Sequence, residues 1–257
     1  MSVKISISSL IYKSTKYADF VYNSIYKYTP ELQTGEAEFY FIANDATEQV
    51  INHLENKKYK YYINNNKHYT EEELFKMGYG CPEYMNRVYK SYNEAIKKAS
   101  GEIIVLINSD MGFSKDWLKN LLVNLNENVI VVGKLIEPGH PKFGVFSDSL
   151  NGTGAYQKNL GNSPDNFRED EFQKFAETFK KDLITKGGAY MPCCLYKKHA
   201  IDVGLYPEGN LAGVNFNNVI EFGDIFFFRK LKEKGINHFT CWNSIIYHFK
   251  EGEKDDK

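Results

Sequence analysis

The run Ile103-Ile104-Val105-Leu106-Ile107 constrains the fold of this chain more than any other stretch. Five consecutive apolar residues read as a buried strand, and they stop abruptly at Asn108-Ser109-Asp110. Open α/β sheets place ligands at the carboxyl ends of their strands, and a carboxylate there is well set to hold a hard cation. A helical segment, Tyr89 to Ser100, precedes the run and is closed by Gly101, while Phe113 to Leu118 starts the next helix.

The same alternation runs through the first half. Strands are expected at Val3–Ile11, Glu38–Ala43, Tyr59–Ile63 and Val129–Gly133, with helices at Ala18–Tyr28, Thr47–Asn56, Glu83–Ser100 and Trp117–Asn126. Strands alternating with helices predict a mostly parallel, doubly wound α/β sheet. The later half changes character. Gly139 to Asp170 is rich in Gly, Asn, Ser, Asp and Pro, and Asn64 to Pro82 is also polar. Loops of that length inside a domain are usually functional or mobile, so both are candidate lids. Glu171–Thr185 reads as an amphipathic helix, Gly187–Tyr196 as extended, Lys197–Val203 and Ile225–Lys234 as helices, and His238–Phe249 as a strand pair. Residues 250–257 are charged and expected to fray.

Composition removes several function classes. The chain has 257 residues, enough for one large α/β domain, and its 32 Lys+Arg against 33 Asp+Glu give no sign of a nucleic-acid groove as the main surface. No stretch approaches the roughly 20 apolar residues of a membrane span. The N-terminal residues alternate like a first strand and lack the plan of a signal peptide, so a cytoplasmic location is expected. The four cysteines show no metal-ligand spacing and read as reduced.

Three groups could carry chemistry, and each has a plainer alternative. Asp110, with Asn108 two positions earlier, either holds a divalent ion against a diphosphate or belongs to a turn capping the next helix. Asp224, in Glu221-Phe222-Gly223-Asp224, is either a helix cap or a general base. His248, in Ile245-Ile246-Tyr247-His248-Phe249, is either a core histidine satisfied by backbone or a metal ligand.

Taken in order, these motifs resemble family 2 glycosyltransferases of the GT-A fold. The resemblance runs from the first strand tip, Ser6 to Tyr12, through the second, Ala43 to Thr47. It continues through Asn86-Arg87-Val88-Tyr89, Tyr92 to Ala95 and Ala99 to Glu102 to Asn108-Ser109-Asp110, then Gly187 to Pro192, Gly223-Asp224 and His248. It implies a single GT-A, Rossmann-like domain over residues 1–249. Residues 1–133 would bind the nucleotide sugar, and residues 134–249 would bind the acceptor through a smaller mixed sheet.

The resemblance further implies metal-dependent, inverting transfer of a sugar from a nucleotide-diphosphate sugar, with UDP the commonest nucleotide, to a glycan, protein or lipid-linked acceptor. Ser9, Tyr12, Asn44, Asp45, Arg87, Asn93, Asn108 and Ser109 would contact the donor. Asp110 and His248 would hold Mn²⁺ or Mg²⁺, and Asp224 would deprotonate the acceptor hydroxyl. The chain departs from the family pattern at Asn108, where an acid is usual, at Gly223, where Glu usually precedes the base, and at Asn44, where Asp is usual. Asn108 and Gly223 favour an alternative in which a degenerate transferase binds sugar nucleotide or glycan without turnover. A nucleotidyltransferase would need a glycine-rich phosphate loop after the first strand, where this chain has Leu10-Ile11-Tyr12-Lys13-Ser14-Thr15.

Overall fold

A computed structural model describes residues 4–66, 70, 72, 73, 76, 82–139, 154–207, 221–250, 252, 253 and 256, of which 82–86 are described by their backbone. Four parallel strands form the first half of the sheet. β1 (Ile5–Ile11) lies between β2 (Ala37–Asn44) and β4 (Ile103–Ile107), and β3 (Tyr61–Asn64) extends the edge beyond β2. Because these strands run parallel, the tips at Tyr12, Asp45 and Asn108 all fall on one rim. That placement follows from the sequence, since each apolar run gives way to polar residues at its carboxyl end.

Among the described residues ten strands make one continuous sheet, in the order β3-β2-β1-β4-β9-β6-β10-β5, with β7 on β6 and β8 on β10. β9 (Cys193–Tyr196) enters antiparallel between β4 and β6 (Val129–Glu137), so the sheet is parallel at one end and mixed at the other. β10 (Asn237–His248) is one strand of 12 residues, not a pair. It pairs in parallel with β6, with a register shift between Cys241 and Ile245, and antiparallel with β5 (Met111–Phe113) and β8 (Ile184–Lys186).

Helices cover both faces: α1 (Thr15–Tyr28), α2 (Pro30–Thr34), α3 (Glu48–Asn56), α4 (Pro82–Lys98), α5 (Trp117–Asn124), α6 (Glu169–Phe179), α7 (Lys197–Asp202) and α8 (Gly223–Glu233). α1 presents Ala18, Val21 and Ile25 to the core at helical spacing, and its N-cap Ser14 accepts the Tyr17 N–H. Gly101 is required by packing. A Cβ there would lie 2.6 Å from the Lys4 carbonyl oxygen, so no side chain fits between the end of α4 and β1.

Three sequence expectations are corrected here. β6 continues past Gly133 because Lys134, although charged, is buried. Its ammonium lies 4.3 Å from the Trp242 ring centroid and donates to the Gly154 carbonyl at 2.7 Å. Of the polar stretch 139–170, the described part is not empty of core. Leu160 is buried, β7 (Tyr156–Gln157) pairs with β6, and the Tyr247 hydroxyl binds the backbone at Leu160 and Gly161. Residues 140–153 and most of 64–82, the remainder of the two expected lids, lie outside the described residues. The expected fraying of 250–257 fails at Glu253 and Asp256, whose carboxylates are anchored on the tip of β1 and the start of α1. Cys193, Cys194 and Cys241 are buried free thiols, as expected; Cys81 lies outside the described residues.

Candidate active site

Two main-chain contacts bring the ends of β4 and β10 together. His248 pairs with Met111, and the Phe249 N–H donates to the Asp110 carbonyl at 3.0 Å. The side chains meet as a consequence. His248 Nε2 lies 3.2 Å from Asp110 Oδ2, and its Nδ1 lies 2.8 Å from Glu137 Oε1 at the end of β6. His248 is therefore not a core histidine satisfied by backbone; it bridges two carboxylates. Burial opposes charge on its ring, but Asp110 and Glu137 outweigh that and raise its pKa to about 10. Asp110 is buried too, yet the imidazolium holds its carboxyl below the usual range.

The arrangement suits a divalent ion. Glu137 fixes the ring orientation from Nδ1, the usual support of a ligating histidine, and leaves Nε2 facing the Asp110 carboxylate. An oxygen and a nitrogen about 3 Å apart can share one ion once the ring loses its proton. Among the described residues no group of three or more His, Cys, Asp or Glu is placed to hold a metal. Further ligands would have to come from substrate and water, as Mg²⁺ commonly arranges.

The rim beside this pair is polar and tightly connected. The Arg87 guanidinium lies 4.8 Å from the Tyr12 ring centroid and 3.4 Å from Asp45 Oδ2, and its buried Nε has no protein partner among the described residues. Asp45 takes a left-handed backbone, φ 51°, that aspartate tolerates, and Asn44 accepts from the Asn66 amide. Ser109 and Asp110 are 7% and 3% exposed.

Helix α4 links this rim to the third group. Tyr92 donates its hydroxyl to Asn108 Oδ1 at 2.7 Å, and one turn earlier the Tyr89 hydroxyl accepts the Asp224 N–H at 3.2 Å. Both Asp110 and Asp224 act electrostatically on Tyr92, which burial, their charges and that of Tyr89 push well above the normal phenol pKa. Asp224 is half-buried in the first turn of α8, and burial raises its carboxyl above the usual value. Its Oδ1 accepts the Ile225 N–H at 2.8 Å, so it also has a local capping contact.

Two expected donor contacts are corrected by this geometry. Asn93 spends both ends of its amide on the Tyr206 backbone, at 2.9 Å each, and fixes the chain after α7 instead of facing the rim. Ser9 is fully buried on β1 and donates to the Leu10 carbonyl at 3.1 Å. Sequence reasoning missed Glu137 because the strand was ended at Gly133. The signal was present, since Glu137 is another acid at the tip of an apolar strand. A cavity of about 580 Å³ lies elsewhere, between the end of α1, α6 and Asn243, and includes none of the expected site residues.

The sheet order and the shared rim of strand tips are those of a GT-A fold. Residues 83–205 match the model of glycosyl transferase family 2. Among solved structures, GalNAc-T7 with UDP, GalNAc and Mn²⁺ superposes with a TM-score of 0.58 at 13% identity, covering 96% of this chain and 44% of that one. S. aureus TarS 1-349 in complex with UDP-GlcNAc gives 0.55 at 17% identity, over 98% and 62% of the two chains. The mannosyltransferase PcManGT from Pyrobaculum calidifontis, in complex with GDP-Man and Mn²⁺, gives 0.55 at 11%, over 98% and 59%. The chain thus spans 44–62% of the length of these proteins. No curated protein matches it by sequence. No helix among the described residues is long and apolar enough to cross a membrane.

Proposed function

We propose that the chain transfers a sugar from a nucleotide-diphosphate sugar to a hydroxyl acceptor, with inversion at the anomeric carbon. The observation that carries this reading is the Asp110–His248–Glu137 chain at the rim, with Asp224 reached from the same helix face through Tyr89 and Tyr92. Tyr12, Arg87 and Asp45 would receive the nucleotide, with Arg87 Nε as a free donor. Asn44, Asn108 and Ser109 complete the donor rim. UDP is the nucleotide we favour, since the solved relatives with bound UDP or UDP-GlcNAc share this fold.

Asp110 and His248 would hold Mn²⁺ or Mg²⁺, and the chemistry such an ion supplies is positive charge against the departing nucleoside diphosphate. Asp224 would take the acceptor proton as the oxygen bonds to the anomeric carbon and the bond to the diphosphate breaks. Burial raises its pKa, which makes it a better base than an exposed aspartate. A single displacement of this kind needs one base and no enzyme nucleophile.

The test is release of nucleoside diphosphate from UDP- and GDP-sugars with Mn²⁺. Release that is lost in Asp110→Ala supports transfer. Donor binding with no release in the unaltered protein would favour the second reading, a sugar-nucleotide binder, which Asn108 and Gly223 motivate.

A further inference from the structure

The described residues that follow β10 lie against the rim. Phe249 is fully buried, and Lys250 and Gly252 both take left-handed backbone conformations, φ 76° and 68°, that turn the chain back over the rim. Gly252 then donates its N–H to Asp110 Oδ2 at 3.3 Å. The Glu253 carboxylate enters the turn between β1 and α1. It accepts the backbone N–H groups of Tyr12, Lys13 and Ser14 at 3.0, 2.8 and 3.0 Å, and the Ser109 hydroxyl at 2.8 Å. Asp256 accepts from Thr15 N–H at 2.8 Å and from the Ser14 and Thr15 hydroxyls.

Three successive amides aimed at one point, beside a helix N-terminus, form a concavity suited to an anion. Here the chain fills it with its own carboxylate. The contacts made by Gly252 and Glu253 fall on Tyr12, Ser109 and Asp110, three residues that the proposed function assigns to the donor and its ion. The sequence after Phe249, Lys-Glu-Gly-Glu-Lys-Asp-Asp-Lys, contains no large apolar side chain. Polar contacts hold the described residues, the hydrogen bonds above and a Lys250–Glu137 ion pair at 3.7 Å, and a nucleoside diphosphate could replace those made by Glu253 and Asp256.

We propose that the segment carrying Gly252, Glu253 and Asp256 forms a self-inhibitory strap, an internal anion that occupies part of the donor site and must swing out before a nucleoside diphosphate and its metal bind. The proposal rests on the glycosyltransferase reading above. A site available for only a fraction of the time binds more weakly by that fraction. If the strap is closed about nine-tenths of the time, opening it should tighten binding about tenfold.

The experiment titrates UDP and GDP with Mn²⁺ into the full chain and into Glu253→Ala/Asp256→Ala, by calorimetry. About tenfold tighter binding by the variant is the expected result. Equal or weaker binding by the variant overturns the strap and leaves the donor reading standing. Binding of neither nucleotide to either protein overturns the donor reading and the strap with it. Should the double variant fail to fold, the unaltered chain gives a second readout, cleavage after Glu253 by a glutamate-specific protease. UDP or GDP with Mn²⁺ should accelerate that cleavage; an unchanged or slower rate overturns the proposal.

Discussion

Binding of Mn²⁺ should expel a proton from His248, and affinity should climb with pH. Without metal the ring lies 3.2 Å from Asp110 and 2.8 Å from Glu137, and its pKa is raised to about 10. Nε2 can become a ligand only after the ring has lost a proton. Below that pKa each pH unit raises the neutral fraction tenfold, so apparent affinity should rise about 100-fold from pH 6 to pH 8. Free Mn²⁺ followed by electron paramagnetic resonance, with no nucleotide present, measures this directly. Calorimetry in two buffers of different ionisation enthalpy should count about one proton released per ion. A flat profile, or an unchanged slope in His248→Asn, would refute the reasoning.

Stability of the metal-free protein should move in the opposite direction. Since the folded pKa of His248 is raised, its contribution is full below the ordinary imidazole value of 6.5 and is lost as pH rises through about 10. Asp110 is depressed, so its contribution is full above the ordinary 3.8 and is lost as pH falls through its lower folded value. Melting temperature without metal should therefore fall from pH 7 towards pH 10, and much less so in His248→Asn.

Asp224→Asn should lower transfer by about 10²–10⁴ while donor affinity, read by calorimetry, stays within a few-fold. The acid limb of the transfer rate should lie above the ordinary carboxylate value of 3.8, because burial raises Asp224. Arg87→Ala removes the cation between Tyr12 and Asp45 and should weaken nucleotide binding by about tenfold or more, with some loss of melting temperature. Asn93→Ala should behave differently. Two hydrogen bonds to the Tyr206 backbone are lost, so stability should fall by about 2 kcal/mol in urea unfolding. An Asn93→Ala protein of normal stability but poor donor affinity would restore this residue to the donor site.

Much of the architecture could be read from the chain because its first half obeys one rule. Apolar runs such as Ile103–Ile107 are buried on both faces, and the polar residues after them must then fall on the rim. Asp110 and His248 were identified on that basis and from the family resemblance, and they do meet. Local sequence could not reveal that Asn93 faces Tyr206, since that pairing joins positions 113 residues apart. Lys134 misled for a related reason. A lysine within an apolar run reads as a strand end unless its partners, Trp242 and Gly154, are known. The charged segment after Phe249 misled most. Its composition predicts solvation, whereas the amides of Tyr12, Lys13 and Ser14 offer Glu253 a set of donors that no composition can disclose.

The ladder between β5 and β10 has a consequence for how such a centre can change over time. Met111 and His248 are held opposite each other by the sheet, whatever side chains the neighbouring positions carry. In the proposed site, metal preference could thus drift, or vanish altogether, through single replacements at 110, 137 or 248, with the frame left intact to accept each experiment. Chemistry and architecture are separable at this spot, and a lineage could lose the first while keeping the second.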